Sequence, residues 1–267
     1  MRLISEWCGV FTTAARIGFR EFTTFYTWRA WVFGWFLRLV AQVVFFGSIG
    51  LLVQSPERIR YMVIGNAAAV VCIEALAVVT STVRERALGT LALQVASPTD
   101  YSLTYLGRGI YCLIVGIVSS TSVLFVAAAV FGLHLPFPDL LVTPALMLVT
   151  GASAYALGIA IGAVVMRFPS MQFLALNLAY LSLMTFCGVN VPVDYWPGPV
   201  SAIAQVLPLT HGLDALRMVL ESGSPADVLS SVGQEIAVGG FWLLVGILLL
   251  KQAVTGERRR GTIELSA

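Results

Sequence analysis

The stretch RERALGTLALQVASP, residues 84–98, is short, charged and helix-prone, with a nearly uninterrupted apolar run on each side. It is the one place where ordered polar surface appears between segments of membrane length. Arg84, Glu85 and Arg86 open it, Gly89 and Thr90 interrupt the charge, and Leu91, Leu93 and Val95 supply apolar contacts. Ser97, Pro98, Thr99 and Asp100 then stop a helix before the next apolar run. Such a segment lies along a membrane surface, either showing its charges to a soluble partner or resting in the lipid interface with none. The residues alone weigh the two evenly.

Outward from it, 58% of the 267 residues are hydrophobic and 11% are charged, less than half the roughly 25% charged content of a soluble domain. This is the composition of an integral membrane protein with no room for an extended soluble part, so one membrane domain is expected to span residues 1–267. A net charge of +2 and basic residues scattered among apolar runs argue against nucleic acid as a partner. Cys8, Cys72, Cys112 and Cys187 are far apart and form no CxxC, which reads as small buried hydrophobes. The start of the chain lacks the continuous apolar core and small-residue site of a cleavable signal peptide.

A membrane-spanning helix needs about 20 mostly apolar residues. Six stretches qualify, 30–53, 59–82, 103–132, 140–166, 171–192 and 229–254, so the expected fold class is an all-α integral membrane protein of six transmembrane helices. Residues 1–28 place Leu3, Trp7, Ala14, Gly18 and Phe22 at helical spacing with Glu6, Arg16 and Arg20 between them, an amphipathic helix too polar to span and expected in the interface. Six spans put both termini on one side. With the amino terminus inside, twelve of the sixteen basic residues face the cytoplasm, and three, Arg58, Arg60 and Arg217, face out. That asymmetry places both termini and the 84–98 segment in the cytoplasm of a multi-pass cell-membrane protein.

Residues 193–228 are neither polar enough for a solvated loop nor continuous enough for a span. Pro197, Pro199, Pro208 and Pro225 separate the apolar pieces 200–207 and 213–220, read as two re-entrant helices in the outer leaflet. In the fourth span Ala154, Gly158 and Gly162 recur every four residues, which lets another helix approach closely.

Much chemistry is excluded. There is no GxxxxGK followed by Ser or Thr, and the sole lysine is Lys251, so the chain holds no phosphate loop and binds no cofactor of its own. Two histidines, His134 and His211, exclude a His-rich metal site. Ser153 in the fourth span has no histidine within reach, since both fall at the outer face, so a membrane-embedded enzyme with catalytic residues is not expected. An ion-coupled secondary transporter, the alternative reading, would want more intramembrane carboxylates and an internal repeat. Arg38 and Glu74 stand out, because an ionisable group in hydrocarbon costs about 2.5–3.5 kcal/mol even on the lenient scale. Each lies eight residues from the inner end of its span, about 12 Å deep, which suggests an interhelical ion pair. Arg38 snorkelling inward and Glu74 lining a wet cavity or meeting a second subunit remain open. Gln42, Asn66, Gln172 and Asn177 read as helix-to-helix hydrogen-bonding groups.

Two motifs carry a family resemblance. Residues 84–98 are similar to a pattern of mixed charge, Gly-Thr-Leu and Ser-Pro after a second span, and LPLTHGLDALR at 207–217 is similar to a Pro-x-Thr-His/Tyr…Ala-Leu-Arg signature before a last span. In their order and topology the whole chain resembles the permease subunits of type-2 ATP-binding-cassette exporters, which include polysaccharide, lipooligosaccharide and antibiotic exporters. The resemblance implies a half-channel that dimerises, with itself or a homologous permease, and binds two separately encoded cytoplasmic ATPase subunits that hold ATP and magnesium. It implies outward movement of amphipathic or lipid-linked cargo. It makes 84–98 a coupling helix whose Arg84, Glu85, Arg86, Gly89, Thr90 and Leu91 touch the ATPase. It also makes Trp196, Pro208, Thr210, His211, Asp214 and Arg217 an outer cap over the exit. Ala92 departs from the acidic residue often found after Gly-Thr-Leu, which shifts that contact onto Glu85 and the arginines.

Overall fold

A computed structural model of the chain describes residues 2–87, 101–135, 137–221 and 223–260. Among these residues the protein is all-α, without a strand. The helices are α1 (Arg2–Phe25), α2 (spanning Ala30–Leu52), α3 (Pro56–Leu76), α4 (Val79–Ala87), α5 (Tyr101–Phe131), α6 (Phe137–Val165), α7 (Gln172–Phe186), α8 (Gly198–Gln205), α9 (Thr210–Leu220) and α10 (Pro225–Arg260). Five helices are long and apolar enough to cross a membrane: Ala30–Leu52, Pro56–Ser81, Tyr101–Phe131, Leu141–Val165 and Pro225–Gly256. The fifth expected span, 171–192, is not one of them. α7 has 15 residues, about 22 Å at 1.5 Å per residue, against roughly 30 Å of hydrocarbon.

The packing follows from which helices are apolar on every face. α3 begins where the Ser55 hydroxyl accepts from the Arg58 N–H at 3.4 Å and Pro56 occupies the first turn, where its missing N–H costs nothing. It is then buried without interruption from Val63 to Cys72. A helix that is apolar all round belongs in the interior, and α3 and α6 form the centre of the molecule. α5, α9 and α10 pack around them. α2 and α10 lie outermost, exposing Phe33, Phe45, Leu51, Leu229, Phe241 and Leu244 as an apolar outer surface.

The small-residue spacing of the fourth span does what it promised. A Cβ at Gly162 would fall 2.1 Å from the Tyr105 hydroxyl of α5, so any larger residue would push that side chain aside. Tyr105 in turn donates to the Val78 carbonyl at 3.1 Å, in the two-residue break between α3 and α4. After that break α4 continues to Ala87, so residues 84–87 are helical. Gly89, Thr90 and Leu91, and the remainder of the coupling segment to Pro98, lie outside the described residues.

Candidate functional site

At one end of the bundle the amphipathic α1 is fastened to the start of α5. A Cβ at Gly18 would come within 2.1 Å of the Arg108 carbonyl oxygen, so α1 rests backbone to backbone on α5 there. From the same Arg108 the guanidinium reaches back to Glu21 of α1, and its other nitrogen meets Glu85 of α4 at 3.0 Å. The second Glu85 oxygen accepts from the Tyr101 hydroxyl at 3.0 Å. The Arg108 and Glu85 side chains are 8% and 1% exposed, which makes this a desolvated ion pair satisfied on several sides. One clasp therefore joins α1, the end of α4 and the beginning of α5, and α4 and α5 flank residues 88–100.

The clasp corrects the expectation for Glu85. A carboxylate expected to face a soluble partner is turned inward, because Arg108 and Tyr101 satisfy it where water cannot. Arg84, its neighbour, lines a cavity with Tyr111. The side chain of Arg86 is outside what is described.

The second expected contact is the Arg38–Glu74 ion pair. The two groups share a neighbourhood but do not touch. Trp35 stands between them, its indole N–H donating to Glu74 Oε1 while the Arg38 guanidinium sits 4.4 Å from the Trp35 ring centroid. The charges couple through a ring whose face attracts the cation and whose edge donates to the anion. Trp35 precedes Arg38 by three residues on one helix, so their stacking is local.

At the other end α9 carries the second motif. Its first turn has no side-chain cap of its own, because the residue in the capping position is Leu209, with φ of 87°. The orphan donors are met from a distance: Glu235 of α10 accepts from the Leu209 N–H and the Gly212 N–H, both at 3.0 Å. Glu235 is completely buried, and a carboxylate at the positive end of a helix is favoured there. Thr210 donates to the Ala204 carbonyl at 2.6 Å, and the His211 ring lies 3.0 Å from the Gln205 carbonyl, so both tie α9 to the end of α8. Arg217 stacks 3.5 Å from the Tyr61 ring centroid and donates to the Gly188 carbonyl at 2.9 Å, with the Tyr61 and Val189 carbonyls slightly farther. Gly188, with φ of 80°, is where the chain leaves α7, and Tyr61 also donates to its carbonyl at 2.7 Å. Burial pushes the Asp214 carboxyl up, against the pull of Arg217 and His211.

Thus Thr210, His211, Asp214 and Arg217 share α9, and the Pro208 carbonyl faces the Cys187 thiol at 3.4 Å. Trp196 stands apart, edge-on to Phe186 with centroids 5.8 Å apart. It borders a groove of about 580 Å³ between α2 and α7 that also includes Gln42, Tyr180 and Asn190. Sequence reasoning missed Glu235, although the criterion that picked out Glu74, a carboxylate inside an apolar run, applies to it equally. It also missed Glu21 and Tyr101, for which no spacing signal exists.

The profile described as ABC-2 type transporter matches residues 17–220. The chain belongs to this family. No curated protein matches it. As an ABC-2 transporter chain it is a multi-pass membrane component of an ABC transporter, and family membership points to an ABC ATPase as its partner. The matched region runs from within α1 to the end of α9, so it contains the whole clasp and the α9 motif. Glu235 lies beyond it, on the helix that completes the cap.

Proposed function

We propose that this chain is the permease subunit of an exporter that moves amphipathic or lipid-linked cargo out of the cytoplasm or inner leaflet, driven by ATP hydrolysis in a separate subunit. The observation that carries the reading is the clasp. A motor pressing on residues 88–100 would push α4, α5 and α1 together, because Arg108 binds all three into one body. That is the arrangement a rigid-body switch requires. The arginine asymmetry supports cytoplasmic termini and puts the clasp on the cytoplasmic side. α7, with Pro169–Met171 before it and the irregular chain after it, would make the fifth of six crossings as a short helix shielded by protein. α8 and α9 would then dip back from the outer face as a cap over the exit. The groove of α2 and α7, polar at Gln42 and Asn190 within an apolar rim, suits a second permease, identical or homologous. Two ATPase subunits would serve the pair, with ATP and magnesium held entirely by them.

Co-purification tests this. An ATPase that elutes with this chain, and whose turnover and vesicle export both require it, is the expected result. Transport by this chain alone, driven by a proton gradient without ATP, would sink the proposal.

A further inference from the structure

Beside the Trp35 bridge lies a cavity of about 400 Å³, bounded by α1, α2, α3, α4, α5 and α7. Its size is that of a small-molecule site. The walls are dominated by aromatic rings, among them Phe22, Tyr26, Trp31, Trp35 and Phe173, and Glu74 supplies a carboxylate. Glu74 is 6% exposed. Apart from the Trp35 N–H on Oε1 it has no hydrogen bond or ion pair among the described residues. The indole N–H of Trp31 likewise has no acceptor among them. Arg38 is not a wall residue and stacks on the Trp35 ring. Arg84 does line the cavity, together with Tyr111.

These features choose between ligand charges. An anion would have to settle beside a desolvated carboxylate and against the negative faces of the rings, and both repel it most where the dielectric is low. A cation meets the opposite at each surface: ring faces that attract it and a carboxylate with an oxygen to spare. Arg84 is half-buried and more open than Glu74, so solvent weakens its opposition more than it weakens Glu74 inside. We propose that this cavity binds an amphiphilic cation, an ammonium-type charge on an apolar body, with the charge at Glu74 and the body against Trp31, Trp35 and Phe173. What the ligand is for rests on the exporter reading above; whether it binds does not. The same chemistry is offered by a cationic cargo and by the amine headgroup of a membrane lipid.

The test uses the full chain in nanodiscs of phosphatidylglycerol, with no nucleotide and no ATPase, and radiolabelled tetraphenylphosphonium as the probe. Saturable binding above that of empty nanodiscs is expected. Tetraphenylborate, the anion of the same shape, should bind at least tenfold more weakly, and Glu74→Gln should weaken the cation at least tenfold while Glu74→Asp retains part of the affinity. Equal binding of the two ions, or unchanged affinity in Glu74→Gln, overturns the proposal. A measurement on the unsubstituted chain guards against a variant that fails to fold. Saturating tetraphenylphosphonium should slow modification of Glu74 by dicyclohexylcarbodiimide at least fivefold, and unprotected modification overturns the proposal by itself. Repeating the titration with phosphatidylethanolamine in the nanodisc separates the sources: weakened cation binding identifies the lipid headgroup as occupant, and unchanged binding identifies a soluble amphiphile. Because the ATPase is absent throughout, loss of this site and loss of the exporter function give different results.

Discussion

The two ends of the molecule use buried charge in different ways. At the clasp, Arg108 meets the carboxylates of Glu21 and Glu85, side chain against side chain across three helices. At the α9 end, Glu235 and Arg217 meet backbone instead, the first on two N–H groups and the second on the carbonyl of Gly188. A side-chain clasp ties whole helices to one another, so that they shift as one body. A charge that satisfies a helix terminus or a left-handed turn has no second position, since those groups exist only in that local conformation. The clasp therefore fastens three helices to one another, whereas the α9 contacts keep an irregular chain in shape.

The largest effect tests the clasp. Arg108→Ala leaves Glu85 buried without its counter-charge and should cost about 3–5 kcal/mol, read as a lower denaturation temperature of the purified protein. Replacing Arg108 and Glu85 together by methionine should recover most of that loss, because the buried carboxylate is gone and Glu21, whose side chain is 27% exposed, can turn to solvent. A loss below about 1 kcal/mol in Arg108→Ala would mean the charges are solvated, as surface pairs are. Glu85→Arg, which on the surface-helix reading would disturb only coupling to a motor, should now destabilise the fold as well, since it sets two guanidiniums together.

Next comes the static end. Glu235→Ala strands two buried N–H groups, at about 1–3 kcal/mol each. Glu235→Gln keeps a carbonyl acceptor and should lose less. The contrast with the clasp lies in location: hydrogen exchange should speed up in α8 and α9 for Glu235→Ala, and in α1 and α4 for Arg108→Ala. Exchange that rises equally at both ends in either variant would erase the distinction. Arg217→Lys is expected to be milder, on the order of 1–2 kcal/mol, because the charge survives while the planar stack on Tyr61 is lost.

Five spans were legible because each is a long run in which hydropathy and helix length agree. The span at 171–192 was only partly legible, for a definite reason. Apolar residues continue from Leu174 to Val191, but the chain turns at Gly188, and the groups that hold the turn, Tyr61 and Arg217, are distant in sequence. The α9 motif was visible as a cluster, yet its capping partner Glu235 is 23 residues past Gly212, on another helix. The clasp was invisible for the same cause. Glu85 followed a span and looked like a surface charge, whereas its burial depends on α5 returning beside it. Periodicity reports which face of a helix is apolar, and it carries no record of which distant side chain fills it.

The smallest effect is the most discriminating about the membrane charges. If Arg38 and Glu74 formed a direct pair, exchanging them would restore whatever either single reversal lost. With Trp35 between them the exchange should fail, because a glutamate at position 38 lies over the face of the ring, where the quadrupole repels it, and an arginine at position 74 meets the indole N–H, a donor facing a donor. Arg38→Ala alone should cost about 1 kcal/mol, the scale of a cation over an aromatic ring. Trp35→Phe separates the two halves of the bridge, keeping a ring beneath Arg38 while removing the donor to Glu74. In that background a double-mutant cycle between Arg38 and Glu74 should return a coupling near zero, within about 0.5 kcal/mol. A coupling that survives the loss of the indole N–H would show that the charges feel each other directly, and the ring would be reduced to a spacer.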